Sequence, residues 1–177
     1  LVNGEGAGTI VIESRAHAER RGATIHGRLL GTAARCESAT RQKKFTGESL
    51  RLALEAVLET AGLTAAGVGH VNAHGVGTVE MDRAEAAAIA RVLGDTPVTA
   101  PKSFFGHLGA GGGVVELAAS VLGLERGLVP ATLNYETPDP LCPVNVVHGE
   151  PLAGRPPTAI AVNLCSTGQA VAVAIAR

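Results

Sequence analysis

The sequence predicts a layered α/β fold, and three observations carry that prediction. Apolar stripes at helical spacing alternate with short β-branched runs along the chain. Two of those runs end in polar, glycine-rich stretches, Asn72-Ala73-His74-Gly75-Val76-Gly77-Thr78 and Lys102-Ser103-Phe104-Phe105-Gly106-His107. The core must be built from Ala, Val and Leu, because aromatics amount to three Phe, one Tyr and no Trp. So few rings also speak against recognition of nucleic acid by base stacking.

The 177 residues suffice for one compact domain. With a net charge of −1 and mixed signs, neither a nucleic-acid surface nor an anionic membrane surface is indicated. Cys36, Cys142 and Cys165 are odd in number and lack metal-type spacing. No metal site is expected, and a reducing cytoplasm fits better than a disulfide framework. No apolar run reaches the roughly 18–20 residues of a membrane span, and no signal peptide is recognised. The chain opens on Leu1-Val2-Asn3-Gly4 without Met, which reads as a fragment or a processed product.

In chain order, the loose turn Gly4-Glu5-Gly6-Ala7-Gly8 leads into Thr9 to Glu13, a β-branched run read as a strand. Arg15 to Arg21 makes a short helix stopped by Gly22, and Thr24 to Ala34 a second strand. The basic loop holding Arg35, Arg41, Lys43 and Lys44 is read as solvated surface. Thr46 is the expected N-cap of the clearest helix. Leu50, Ala53, Leu54, Val57, Leu58 and Ala61 line one face of it, and Gly62 ends it. Strands follow at Val68 to His74 and Pro97 to Ala100, with a helix from Met81 to Leu93 between them.

The glycine cluster Gly109 to Gly113 opens a long apolar helix reaching about Glu125. On residues alone, the stretch before it suits a phosphate cradle, an acid/base site or a tight turn. Leu128 to Leu133 and Tyr135 to Pro143 form an extended excursion turned by Pro138, Pro140 and Pro143. Thr158 to Asn163 and Gln169 to Ala176 close the chain as an antiparallel strand pair.

Ligands of a layered α/β sheet bind beyond the carboxyl ends of its strands, so the two histidine-bearing strand ends can share one site. These residues resemble the β-ketoacyl synthases of fatty-acid and polyketide synthesis. His74 to Thr78 match the family's His-Gly-Thr-Gly-Thr motif, with Asp82 and Glu85 at its Asp and Glu positions. Lys102 to His107 match Lys-Ser-x-x-Gly-His, and Glu116 follows in the next helix. Val129 to Asn134, Pro138-Asp139-Pro140 and the Gly4 to Gly8 turn resemble further family segments.

The resemblance implies a thiolase-like fold, of which this chain is the C-terminal half: residues 1–45 end the N-terminal half, and 46–177 form the C-terminal half. It implies decarboxylative Claisen condensation of an acyl thioester with malonyl-acyl carrier protein, an acyltransferase reaction. His74 and His107 would stabilise the enolate, and Lys102, paired with Glu85 and possibly Glu116, would hold His107. The Thr167 backbone N–H would serve as an oxyanion donor, and Thr78 would meet the pantetheine arm. No cofactor of the chain's own is implied, since phosphopantetheine arrives on acyl carrier protein. The expected partners are that carrier, the missing N-terminal half and a second subunit, as a homodimer or heterodimer.

The sequence also departs from the family. The nucleophilic cysteine belongs to the absent half, so the chain alone is expected to be inactive and to self-associate through exposed apolar surface. None of the three thiols shows an activating sequence setting. The gate Gly-Phe-Gly-Gly reads Ser166-Thr167-Gly168-Gln169, Cys165 falls at a position usually aromatic, and Val76 replaces a threonine. A non-catalytic partner like the chain-length-factor subunits is the alternative; those usually lose the histidines, which stand here. A stand-alone acyl-CoA or phosphopantetheine binder using Gly109 to Gly113 is a weaker third.

Overall fold

The computed structural model describes residues 1–38 and 45–177. Its elements run α1 (Arg15–Arg20), β1 (Arg28–Cys36), α2 (Glu48–Ala61), β2 (His70–Asn72), α3 (Val79–Leu93) and β3 (Pro97–Thr99). They continue with α4 (Lys102–Phe105), α5 (Gly112–Arg126), β4 (Leu128–Val129), β5 (Asn145–Val146), β6 (Leu152–Ala153), β7 (Thr158–Leu164) and β8 (Gln169–Ala176). Arg41, Lys43 and Lys44 of the basic loop lie outside the described residues.

Six strands form one sheet in the order β1-β8-β7-β2-β3-β5. β8 runs antiparallel to both β1 and β7, as expected for the closing pair, and β7, β2, β3 and β5 are parallel. The edge strand β1 falls within residues 1–45, and it pairs with β8 along most of its length, from Arg28 opposite Ala176 to Cys36 opposite Gln169.

Period-two alternation gives the sheet two unlike faces. On one side Val71, Ala73, Val98, Ile160, Val162 and Leu164 join Leu50, Leu54 and Val57 of α2 and Ile89 and Leu93 of α3 in the main apolar core. On the other side α5 packs Leu124 against Ala159 and Ile175. That same face carries buried polar groups: His70, Asn72 and His74 of the β2 segment, and Glu116 and Ser120 of α5.

Several local expectations are corrected. Residues 9–13 are not a strand: among the described residues no strand lies beside them, and Val11 and Ile12 are 75% and 72% exposed. A β-branched run cannot become a strand without a ladder partner. The second strand begins at Arg28 rather than Thr24. Gly47, at φ +83°, is the N-cap of α2; the Thr46 hydroxyl accepts from the Glu48 N–H (3.4 Å), and a further amide is served from a distance. The Glu37 carboxylate accepts from the backbone N–H groups of Thr46 (2.5 Å) and Ser49 (3.2 Å). Burial works against that carboxylate's charge, but these bonds outweigh it and hold its pKa below the ordinary range. Residues 102–105, to which the sequence reading assigns no helix, form the one-turn helix α4, and the two short strands β5 and β6 were not foreseen.

Candidate active site

The loop after β2 is held by carboxylates from the first turns of α3. Glu85 accepts from the N–H groups of His74 (2.6 Å) and Gly75 (2.9 Å), and Asp82 accepts from Gly77 (3.2 Å). The acidic residues of the sequence motif are therefore loop ties. Glu85 is fully enclosed, and burial, only partly offset by the Gly75 and His74 amides, pushes its carboxyl up to about 7. Burial likewise raises Asp82.

Of the two carboxylates expected beside Lys102, it is Glu116 that makes the ion pair, not Glu85. Lys102 and Glu116 are buried, and Nζ of the lysine binds Oε1 of the glutamate. Glu85 is unsuited to that role because both its oxygens already face backbone amides. The ammonium also stands 3.3 Å from Nδ1 of His74 rather than holding His107. An ammonium only donates, so Nδ1 accepts and the His74 proton resides on Nε2. Burial first, then Lys102 and His107, lowers the His74 pKa to about 3, which keeps the ring neutral at physiological pH.

His107 is positioned by backbone. Its N–H donates to Val2 O (2.8 Å), and its carbonyl accepts from Gly4 N (3.1 Å), so residues 2–4 strap it in a short parallel bridge. The strap lies so close that a Cβ on Gly4 would stand 1.9 Å from Phe105 O. The rings of His74 and His107 meet edge to face, centroids 5.8 Å apart and planes at 85°. The His107 Nδ1 and Thr78 Oγ1 atoms are buried without a partner among the described residues. Val76, Asp82, Glu85, Lys102, Phe104 and His107 contribute to the lining of a cleft of about 770 Å³.

Thr167 lies in the exposed turn between β7 and β8. Its hydroxyl is 3.0 Å from the Cys165 sulfur. That hydroxyl and the Thr167 backbone N–H, with help from Ser166, lower the Cys165 pKa. The sequence reading missed this setting, which arises from a turn returning on its own first residue. Cys142 behaves oppositely: burial, with Asp139 and Asp82 nearby, raises its pKa. Among the described residues no group of three or more His, Cys, Asp or Glu side chains is arranged to hold a metal ion. Nor is any helix long and apolar enough to cross a membrane.

A mixed sheet between helical layers, with two imidazoles brought together beyond the ends of parallel strands, is the thiolase-like fold of solved ketosynthases. The chain belongs to the β-ketoacyl synthase family: residues 26–136 match its C-terminal domain. The tetracenomycin polyketide synthase ketoacyl synthase alpha subunit of Streptomyces glaucescens is 37% identical, over 100% of this chain and 43% of that protein. Nodulation protein E of Rhizobium meliloti is 38% identical, over 85% of this chain and 38% of its own length. Among solved structures, the ishigamide ketosynthase/chain length factor superposes with a TM-score of 0.91 at 30% identity, covering 98% of this chain and 43% of that one. A type II polyketide synthase acyl-carrier protein in complex with its ketosynthase gives 0.84 at 29% identity, covering 93% and 41%. The chain thus spans about two fifths of the length of these relatives.

Proposed function

We propose that the protein carrying this chain condenses an acyl thioester with malonyl-acyl carrier protein by decarboxylative Claisen chemistry. Residues 46–177 supply the C-terminal half, with 1–45 leading into it. The observation that carries the reading is the edge-to-face His74–His107 pair, with Lys102 on Nδ1 of His74. A neutral imidazole that keeps its proton on Nε2 is a hydrogen-bond donor for a developing enolate oxygen. The His107 ring, on a backbone strapped by residues 2–4, meets that of His74 edge to face.

In the proposed reaction the acyl group first forms a thioester with a cysteine outside this chain. Malonyl thioester then loses carbon dioxide, and the electron pair left on its α-carbon is delocalised onto the thioester oxygen facing the histidines. That carbon attacks the acyl carbonyl, the new carbon–carbon bond forms and the cysteine thiolate leaves. Thr78 would meet the pantetheine arm, and the Thr167 N–H would serve as an oxyanion donor once turned from the Cys165 sulfur. The acyl groups ride on the phosphopantetheine of the carrier, so the chain needs no cofactor of its own. The names of the relatives favour a polyketide product. The acyl carrier protein and a second ketosynthase-like subunit are the proposed partners.

The alternative of a non-catalytic, chain-length-factor-like subunit is less favoured because both imidazoles are present and mutually oriented. In the intact protein, His74→Ala and His107→Ala are each expected to slow malonyl decarboxylation by roughly 10²–10³. Acylation of the cysteine should survive, because enolate charge develops only afterwards. Mass spectrometry of the acyl-enzyme together with carbon dioxide release decides the matter. Unchanged decarboxylation in both variants would overturn the proposal.

A further inference from the structure

We infer that Asn72 is a positioning residue for the His74 imidazole, acting through Glu116 and Ser120 of α5 and the Lys102 ammonium. The inference rests on the function proposed above, in which His74 must donate from Nε2.

Asn72 stands two residues before His74, so both side chains leave the β2 segment on the α5 face. It is 1% exposed, and an unbonded carboxamide there would be costly. Its Nδ2 donates to the Glu116 carbonyl oxygen (2.7 Å) and to Ser120 Oγ (2.8 Å). A carbonyl can only accept, so the amide cannot be flipped without setting two oxygens against each other. Its own Oδ1 is buried and finds no partner among the described residues. The side chain therefore works through its two N–H donors, at the expense of an unsatisfied oxygen.

These donors close a ring of contacts. Asn72 grips the backbone of Glu116, the Glu116 carboxylate grips Lys102, and Lys102 meets Nδ1 of His74, which returns to the same strand. One turn of α5 is thereby registered against β2 at the place where its carboxylate must reach the ammonium. Without that tether, the backbone of Glu116 is no longer held to the strand that carries His74. The ammonium is then free to leave Nδ1, and the tautomer of His74 is no longer imposed.

The test is the tautomer itself, read from ¹⁵N shifts of histidine-labelled protein, with the His74 signals assigned by loss in His74→Gln. The unaltered protein is expected to show His74 as the Nε2–H form. Asn72→Leu removes the donors, and Asn72→Asp removes them while keeping the shape; both should show a clear share of the Nδ1–H form. Decarboxylation should fall about tenfold or more in kcat with KM little changed, as expected for misplacement at a distance. Ser120→Ala, a small change that does not threaten folding, should show the same shift in lesser measure.

A merely structural Asn72 would lower the melting temperature and leave the His74 tautomer alone. An unchanged tautomer in Ser120→Ala and in whichever Asn72 variant folds overturns the inference. Should neither Asn72 variant fold, Ser120→Ala decides it alone. Absence of condensation in the unaltered protein would instead refute the proposed function, and the tautomer measurement does not depend on it.

Discussion

Nζ of Lys102 lies 3.3 Å from Nδ1 of His74 while binding the carboxylate of Glu116, so one buried cation serves an imidazole and an acid at once. Removing it exposes two dependencies with different signatures.

Lys102→Met leaves Glu116 as a buried carboxylate without its counter-charge, which is expected to cost about 3–5 kcal/mol. The double variant Lys102→Met with Glu116→Gln should regain much of that loss. His74 in either background should titrate above about 3, because one of the influences lowering its pKa is gone while burial and His107 remain. Chemical denaturation of the two single variants and the double gives the coupling, and histidine NMR gives the titration.

Stability should fall on mild acidification for a reason confined to one face of the sheet. Burial depresses His70 to about 4, and burial with Lys102 and His107 depresses His74 to about 3, against 6.5 in the unfolded chain. Their contribution is complete above about pH 6.5 and is lost as the pH falls towards those values, at about 1.4 kcal/mol per pH unit for each. Glu85, raised to about 7 from 4.5, acts in the opposite sense: its contribution is complete below 4.5 and lost as the pH rises through 7. From pH 6.5 down to 4.5 two groups oppose one. His70→Leu should therefore flatten the pH dependence of the denaturation midpoint in that window; an unchanged slope would contradict the assignment.

Gly4→Ala should damage the site from outside it. The added methyl would meet Phe105 O at 1.9 Å, displacing the strap whose backbone holds His107. A loss of about 1–3 kcal/mol is expected from such overpacking, together with slower decarboxylation. Gly67→Ala is the control, since its methyl would find only Leu63 Cδ2 and Thr64 Oγ1, at 3.7 and 3.8 Å. Thermal melts and carbon dioxide release of the two variants should diverge.

Cys165 should alkylate before Cys142. The first is exposed and its thiolate is favoured by the Thr167 hydroxyl and N–H, whereas burial disfavours the thiolate of the second. Thr167→Val removes the hydroxyl and should slow labelling of Cys165. Peptide mapping after brief iodoacetamide treatment measures the order; equal rates for the two thiols would refute it.

What was legible in the sequence is what depends on neighbours along the chain. The α2 stripe, its glycine stop and the order of the histidine motifs all need only local spacing, and each lies where the pattern puts it. Legibility ends where the partner is distant. Thr46 does serve α2, its hydroxyl accepting from the Glu48 N–H, but the cap position falls to Gly47 and the Ser49 amide is met by Glu37 from beyond the end of β1. Residues 9–13 have strand chemistry and, among the described residues, no strand beside them. The choice of Glu116 over Glu85 for Lys102 depended on backbone amides that had already claimed Glu85. The polar stripe His70, Asn72 and His74 was visible as alternation, yet its meaning required knowing which helix covers that face.

The unlike faces of the central sheet carry a consequence for redesign. Under α2 the packing is aliphatic and, among the described residues, makes no direct hydrogen bond to either imidazole, so volume-conserving exchanges such as Leu54→Met can tune melting temperature there with the chemistry left intact. Beneath α5 the same exchanges meet donors and charges that depend on one another, and substitutions should behave as a block rather than singly. A combinatorial library restricted to the first face would thus keep most members active, while one spread over the second would lose function in nearly every member that still folds.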